Sequence, residues 1–194
     1  MNRRSFLPTL AALAAVSFLS ACSKESEAPA APPIDRSQAL QVLAAEGKGF
    51  SAGTVMAANT VYVLFDPQCP HCAALWESSQ PLLKQTRFVW LPVALLNAKS
   101  LPQGAAIMGA ANPIEAMTAH EKSLMAGQGG TSASASVPDD VKAAIERNTA
   151  LLNRLGAEAV PFTVARHATS GATVTQAGAM DTAALARFLG ITGS

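Results

Sequence analysis

Two cysteines separated by two residues, Cys69-Pro70-His71-Cys72, stand between an apolar run and a stretch that reads as a helix. The run, Val61-Tyr62-Val63-Leu64-Phe65, has the β-branched and aromatic content of a buried strand. Ala73-Ala74-Leu75-Trp76-Glu77 follows and is rich in helix formers. No other feature constrains the fold as much. The first thiol lies near the unpaired N–H groups and positive dipole end of the helix, a setting that favours thiolate over thiol. Thiols at this spacing close a small, reversible disulfide, and so short a loop adds little stability. The pair is read as a redox couple rather than a structural bridge.

The remaining cysteine, Cys22, ends what reads as an export signal. Met1-Asn2-Arg3-Arg4 is a basic start, Leu7 to Leu19 an apolar core, and Leu19-Ser20-Ala21-Cys22 a cleavage site of small residues. The last four resemble the lipobox of bacterial lipoproteins, which implies lipidation of Cys22 and a mature chain that begins there. Arg3-Arg4-Ser5-Phe6-Leu7 resembles a twin-arginine export motif, with ordinary Sec export as the other route. The apolar core is shorter than the roughly 20 residues of a membrane span, so residues 1–21 are read as a signal and not an anchor. With Cys22 lipidated, the two thiols left over are the couple.

A formal charge of +1 and 14% charged residues argue against a nucleic-acid partner, which calls for a basic patch. Residues 22–53 are expected to be a flexible tether, rich in proline and small polar residues, followed by a short helix from Asp35 to Glu46. The main domain is expected from Thr54 to Ser194, with Phe50 to Met56 supplying a short edge strand. Strands are expected at Thr60 to Phe65, Arg87 to Leu95, Phe162 to His167 and Ala172 to Gln176. Pro92 points to an edge position or a bulge for the second of these. Helices are expected at Pro70 to Lys84, kinked or ended near Pro81, and at Pro102 to Ala110, Pro113 to Met125 and Val137 to Leu155. A final helix runs from Asp181, its N-cap, to Leu189. Gly127 to Ser136 is a low-complexity loop. This order defines an α/β chain: a thioredoxin fold with an inserted helical region.

Val160-Pro161, just before the third main strand, is a second candidate element. Residues from about Val61 to Gly190 resemble the thioredoxin-like catalytic domains of the bacterial periplasmic Dsb proteins, the DsbC/DsbG isomerase group above all. Phe65-Asp66-Pro67-Gln68-Cys69-Pro70-His71-Cys72, Trp76, Leu155-Gly156-Ala157 and Val160-Pro161 carry the likeness. The resemblance implies a cis Pro161 beside the couple and a Val160 backbone that pairs with an extended substrate. It further implies exported, cysteine-containing substrates and a membrane redox partner of the DsbD or DsbB type. That family has threonine where Val160 stands, whereas valine and the Pro70-His71 pair are choices of the DsbA oxidases. Only a tether and a short helix precede the catalytic domain, so the V-shaped dimer of the isomerases is not expected.

As a mechanism, Cys69 is expected to be exposed and to attack as a thiolate, with the more buried Cys72 resolving the mixed disulfide. Pro70 fits the first helical position, where its missing N–H costs nothing, and His71 adds positive charge near the thiolate. Asp66 is read either as a tuner of the couple or as a strand-end cap. Trp76 and Trp90 are read as core or cleft-wall aromatics, His120 and His167 as solvated surface residues, and Arg147 and Arg154 as part of a solvated helix face. No cofactor is called for. A structural zinc site would need four ligands, and haem attachment would need histidine where Ala73 stands. One CxxC can hold Cu(I), so a copper-binding envelope protein is the rival class and an inactive interaction module a third.

Overall fold

Five strands form one sheet in the order β1-β3-β2-β4-β5. They are β1 (Phe50–Gly53), β2 (Thr60–Phe65), β3 (Arg87–Pro92), β4 (Phe162–Arg166) and β5 (Thr173–Ala177). This computed structural model describes residues 31–191. The signal segment 1–21, Cys22 and the start of the tether lie outside the described residues. β2 and β3 pair in parallel and the other neighbours are antiparallel. The central strands are apolar because both faces of the sheet are covered: Val61, Val63, Leu64 and Phe65 of β2, and Phe162, Val164 and Ala165 of β4, are buried.

The helices are α1 (Ala39–Glu46), α2 (Pro70–Ser79), α3 (Ser100–Met108), α4 (Pro113–Met125), α5 (Asp139–Arg154) and α6 (Thr182–Leu189). α2 joins β2 to β3 and packs against both α4 and α6. The three helices α3 to α5 form the insertion between β3 and β4. Two of the later starts have a side-chain cap. Asn112 caps α4 by accepting from the Glu115 N–H, with Pro113 as the first helical residue, and Asp181 caps α6 through the Ala184 N–H. α2 gives way to a 3-10 turn over Gln80–Leu82, the early end expected from Pro81.

Three expectations need correction. The compact unit begins at Ala31, not at Thr54. Ile34, Ala39, Leu43 and Phe50 enter the same core as the central strands, and β1 pairs with β3, so α1 and β1 belong to the fold. Secondly, β3 is an inner strand. Pro92 is tolerated because it is the last residue of β3, and the next N–H, of Val93, still reaches the Phe65 carbonyl at 2.9 Å. The strand stops short of Leu95 because the N–H groups of Leu95 and Leu96 turn to the Asp66 carboxylate. Thirdly, Arg154 is half-buried: it donates to the Pro32 carbonyl at 3.1 Å and pairs with Glu46 at 3.4 Å.

An aromatic cluster supports the end of the sheet that carries the couple. Trp76 and Trp90 meet edge to face with centroids 5.1 Å apart, and Phe65 meets Trp90 at 5.6 Å. Both indoles are buried, as their reading as core aromatics requires. Among the described residues no helix is long and apolar enough to cross a membrane.

Candidate active site

The chain leaves β2 at Phe65, turns through Asp66-Pro67-Gln68, and enters α2 with Cys69 as the N-cap and Pro70 as the first helical residue. Asp66 builds this turn. Its Oδ1 accepts from the Gln68 N–H and the Ser100 hydroxyl, both at 2.8 Å. Its Oδ2 accepts from Leu95 N–H at 2.7 Å and Leu96 N–H at 2.9 Å. Both oxygens are thereby fully engaged, which is the geometry of the strand-end cap.

An N-cap residue normally offers an oxygen to the free N–H groups of the first turn. Cys69 stands at that position with a sulfur and makes no side-chain capping bond. The Cys69 thiol falls from the ordinary 9.0 to about 6, chiefly through a hydrogen bond from the Cys72 side chain. The backbone N–H groups of Cys72 and His71 and the His71 charge add to this, and burial works against it. Cys72 moves the other way. It is fully buried, and burial, followed by its bond to Cys69, raises it well above the usual thiol range. One sulfur is poised as a thiolate and the other holds its proton.

The expected exposure of Cys69 needs correction, since only 5% of the residue is accessible. Val160 covers it. In its thiol form Cys69 donates to the Val160 carbonyl at 3.4 Å, and the Val160–Pro161 bond is cis. Cys69, Cys72, Val160 and Pro161 are therefore brought together, while the His71 side chain stands exposed at the rim.

His120, read from sequence as solvated, is wholly buried. Its Nδ1 accepts from the Thr131 N–H at 3.2 Å, so Nε2–H donates to the Pro67 carbonyl at 2.7 Å. Burial lowers its proton affinity, in keeping with the neutral ring. His167 is half-buried, with Nδ1 accepting from the Ser170 N–H at 3.2 Å. Gln103 and Gln68 both hold the Gly129 carbonyl, so the glycine-rich loop is laced to the turn before the couple.

Glu121, the neighbour of His120 on α4, is a site residue that the sequence reading missed. It is 3% exposed, and neither carboxylate oxygen has a hydrogen-bond partner. Burial, then the charges of Cys69 and Asp66, push it up to about 9. It lines a groove of about 520 Å³ between α2 and α4, along with Ala73, Trp76, Glu77, Thr118 and Lys122. Among the described residues no group of three or more His, Cys, Asp or Glu is placed to hold a metal ion.

The acidity of Cys69 sets a pH profile. Below about pH 6 the thiolate is lost and alkylation of Cys69 should slow about ten-fold per unit, while above pH 7 it should be level. Iodoacetamide rates from pH 4 to 9, with mass mapping of the label, read this directly. A midpoint near 9 would contradict a lowered Cys69.

A dithiol at the N-terminus of a helix that follows a central strand, opposite a cis proline, defines a thioredoxin-fold dithiol protein. Known proteins agree. The chain is 29% identical over 112 residues to the thiol:disulfide interchange protein DsbG of Pseudomonas aeruginosa, covering 56% of this chain and 43% of that one. It thus spans less than half the length of this curated relative. The catalytic domain of Proteus mirabilis ScsC superposes with a TM-score of 0.61 at 19% identity, over 80% of this chain and 97% of that one. The thiol-disulfide exchange protein α-DsbA2 of Wolbachia pipientis gives a TM-score of 0.61 at 14% identity, over 79% and 94%. At such identities the likeness is one of fold. No protein-family model matches the sequence. The fold is thus thioredoxin-like, and part of the sequence is similar to a thiol:disulfide interchange protein.

Proposed function

We propose that this chain is a periplasmic thiol–disulfide oxidoreductase that reduces or isomerises disulfides, or reduces oxidised cysteines, in exported proteins. The observation that carries the reading is geometric: Cys69 stands at the start of α2 against the carbonyl that precedes the cis Pro161, and Cys72 is fully buried. Cys69 thiolate attacks one sulfur of a substrate disulfide, and the other leaves as a thiolate that takes a proton from water. Cys72 loses its proton and attacks Cys69 Sγ. The mixed disulfide breaks, the second substrate sulfur leaves, and two electrons have passed from couple to substrate. In isomerisation a substrate thiol resolves the mixed disulfide instead and the couple stays reduced. The backbone of Val160, already against Cys69, is the proposed docking edge for the substrate peptide.

Similarity to DsbG favours the reducing direction, with a DsbD-type membrane partner returning electrons and lipid on Cys22 holding the domain at the membrane. A second reading, a disulfide donor recharged by a DsbB-type partner, is favoured by Val160 and His71, which match the DsbA oxidases. The redox state of the couple in intact cells separates the two. After acid quenching and alkylation with a mass-adding reagent, a mostly reduced pair supports the reductase or isomerase. A mostly oxidised pair overturns it in favour of the donor.

A further inference from the structure

The peptide plane between Pro67 and Gln68 is pinned at both ends. At one end the Gln68 N–H donates to Asp66 Oδ1 at 2.8 Å. At the other the Pro67 carbonyl accepts from His120 Nε2–H at 2.7 Å. A peptide unit turns on two soft dihedrals, so it rocks with little movement of its neighbours unless its oxygen and its N–H are both held. This unit stands directly before Cys69, whose own N–H closes the turn on the Asp66 carbonyl at 3.0 Å. His120 is itself held from behind. Thr131 N–H donates to Nδ1 at 3.2 Å, and Gly130 lies so close that a Cβ there would run into Cε1 and Nε2 of the ring. Gln103 fixes the same loop by donating to the Gly129 and Thr131 carbonyls, each at 3.0 Å. Loop, ring and turn form one line of contacts that ends at the couple. The imidazole is fully buried with both nitrogens committed, so neither is free for proton transfer.

We propose that His120 is a positioning residue for Cys69: its bond to the Pro67 carbonyl, backed by the loop 127–131, fixes the turn that sets where Cys69 stands against Cys72 and the start of α2. The redox consequence rests on the exchange reading above, whereas the placement of Cys69 does not. With the Pro67 end released, the plane rocks about its Asp66 end and Cys69 drifts from the Cys72 thiol that donates to it. The thiolate loses support, the reduced couple loses it too, and the equilibrium moves toward the disulfide. The titratable groups around the couple, His71 and Cys72 on α2, Asp66 in the turn and Glu121 on α4, are untouched by a change at His120 or Gly130. A moved Cys69 midpoint therefore reports the turn.

Two substitutions separate the ends of the ring. In His120→Gln the side-chain amide reaches where Nε2 stands and keeps a donor for Pro67. In His120→Asn it reaches only as far as Nδ1, and the Pro67 carbonyl is left unheld. Gly130→Ala acts from the far side, displacing the ring with neither thiol touched. The readouts are iodoacetamide labelling of Cys69 in the reduced full chain from pH 5 to 9, and equilibrium with glutathione at pH 7. His120→Asn and Gly130→Ala should each lower the labelling rate at pH 6, relative to that at pH 9, at least about three-fold. Each should also shift the glutathione equilibrium at least about three-fold toward the disulfide. His120→Gln should stay within about 1.5-fold of wild type in both, even where urea unfolding shows that it has lost stability. Wild-type profiles in both His120→Asn and Gly130→Ala would overturn the proposal. So would a His120→Gln shift as large as that of His120→Asn, the mark of a purely structural ring. If His120→Asn does not fold, Gly130→Ala against His120→Gln decides between the same outcomes. A wild-type couple that never equilibrates with glutathione would sink the exchange reading, and the labelling profiles would still decide the place of His120.

Discussion

Replacing Cys69 with serine should abolish thiol–disulfide exchange, lowering turnover by at least about three orders of magnitude. The attacking species is a thiolate, and a serine hydroxyl neither ionises in this pH range nor forms a disulfide. Nothing else at the site can substitute, because Cys72 is fully buried and holds its proton. Cys72→Ser should act differently. Its hydroxyl still donates toward Cys69, so the thiolate persists and attacks, but resolution is impossible. Mixed disulfides with exported proteins should accumulate and resist everything except added thiol. Insulin reduction for the first variant, and non-reducing gels of envelope fractions for the second, check these outcomes. Full turnover by Cys69→Ser would remove the basis for the proposed mechanism.

The second large effect concerns stability. Asp66→Ala should destabilise the protein by about 3–4 kcal/mol, because it strands the N–H groups of Gln68, Leu95 and Leu96 and the Ser100 hydroxyl in one step. The Ser100 hydroxyl is buried and the three N–H groups are part-buried, so each loses an acceptor with only partial replacement by water, and hydrogen bonds to a charged acceptor are the stronger kind. The Asp66 carboxylate holds the turn before the couple to the end of β3 and the start of α3, so its loss should also loosen the N-terminus of α2. Asp66→Asn keeps one acceptor oxygen but turns an amide NH2 toward donors, and should recover less than half of the loss. Urea unfolding of both variants reads the difference. A loss below about 1 kcal/mol for Asp66→Ala would show that the turn is held by other contacts.

What was legible in the sequence was mostly local. The run Thr60–Phe65, the proline and capping residues at the starts of α2, α4 and α6, and the glycine-rich loop all announce themselves within a few residues. The chemistry of the couple was legible for the same reason, since the two thiols and the helix start they share lie within four residues. What failed was long-range. Pro92 marks a strand end, and sequence cannot show that β1 arrives to cover the other side of β3. The sequence places His120 in solvent because its partners, Pro67 and Thr131, come from a distant turn and from a loop with no pattern of its own. A signal for Glu121 did exist. Met117, His120 and Glu121 stand at i, i+3 and i+4, and all three are buried, so the spacing placed them on the inner face of α4. A carboxylate on such a face is a reason to ask what it meets.

The equilibrium of the Cys69–Cys72 couple with glutathione is the most direct single test of the proposed activity. The protein would be held in buffers of defined thiol-to-disulfide ratio, quenched with acid, alkylated and weighed. A reversible two-electron transition is expected, at a potential between about −120 and −270 mV, because an acidic Cys69 stabilises the reduced form. Thiols that stay reduced at every ratio, or titrate one at a time as independent groups, would contradict an exchange couple.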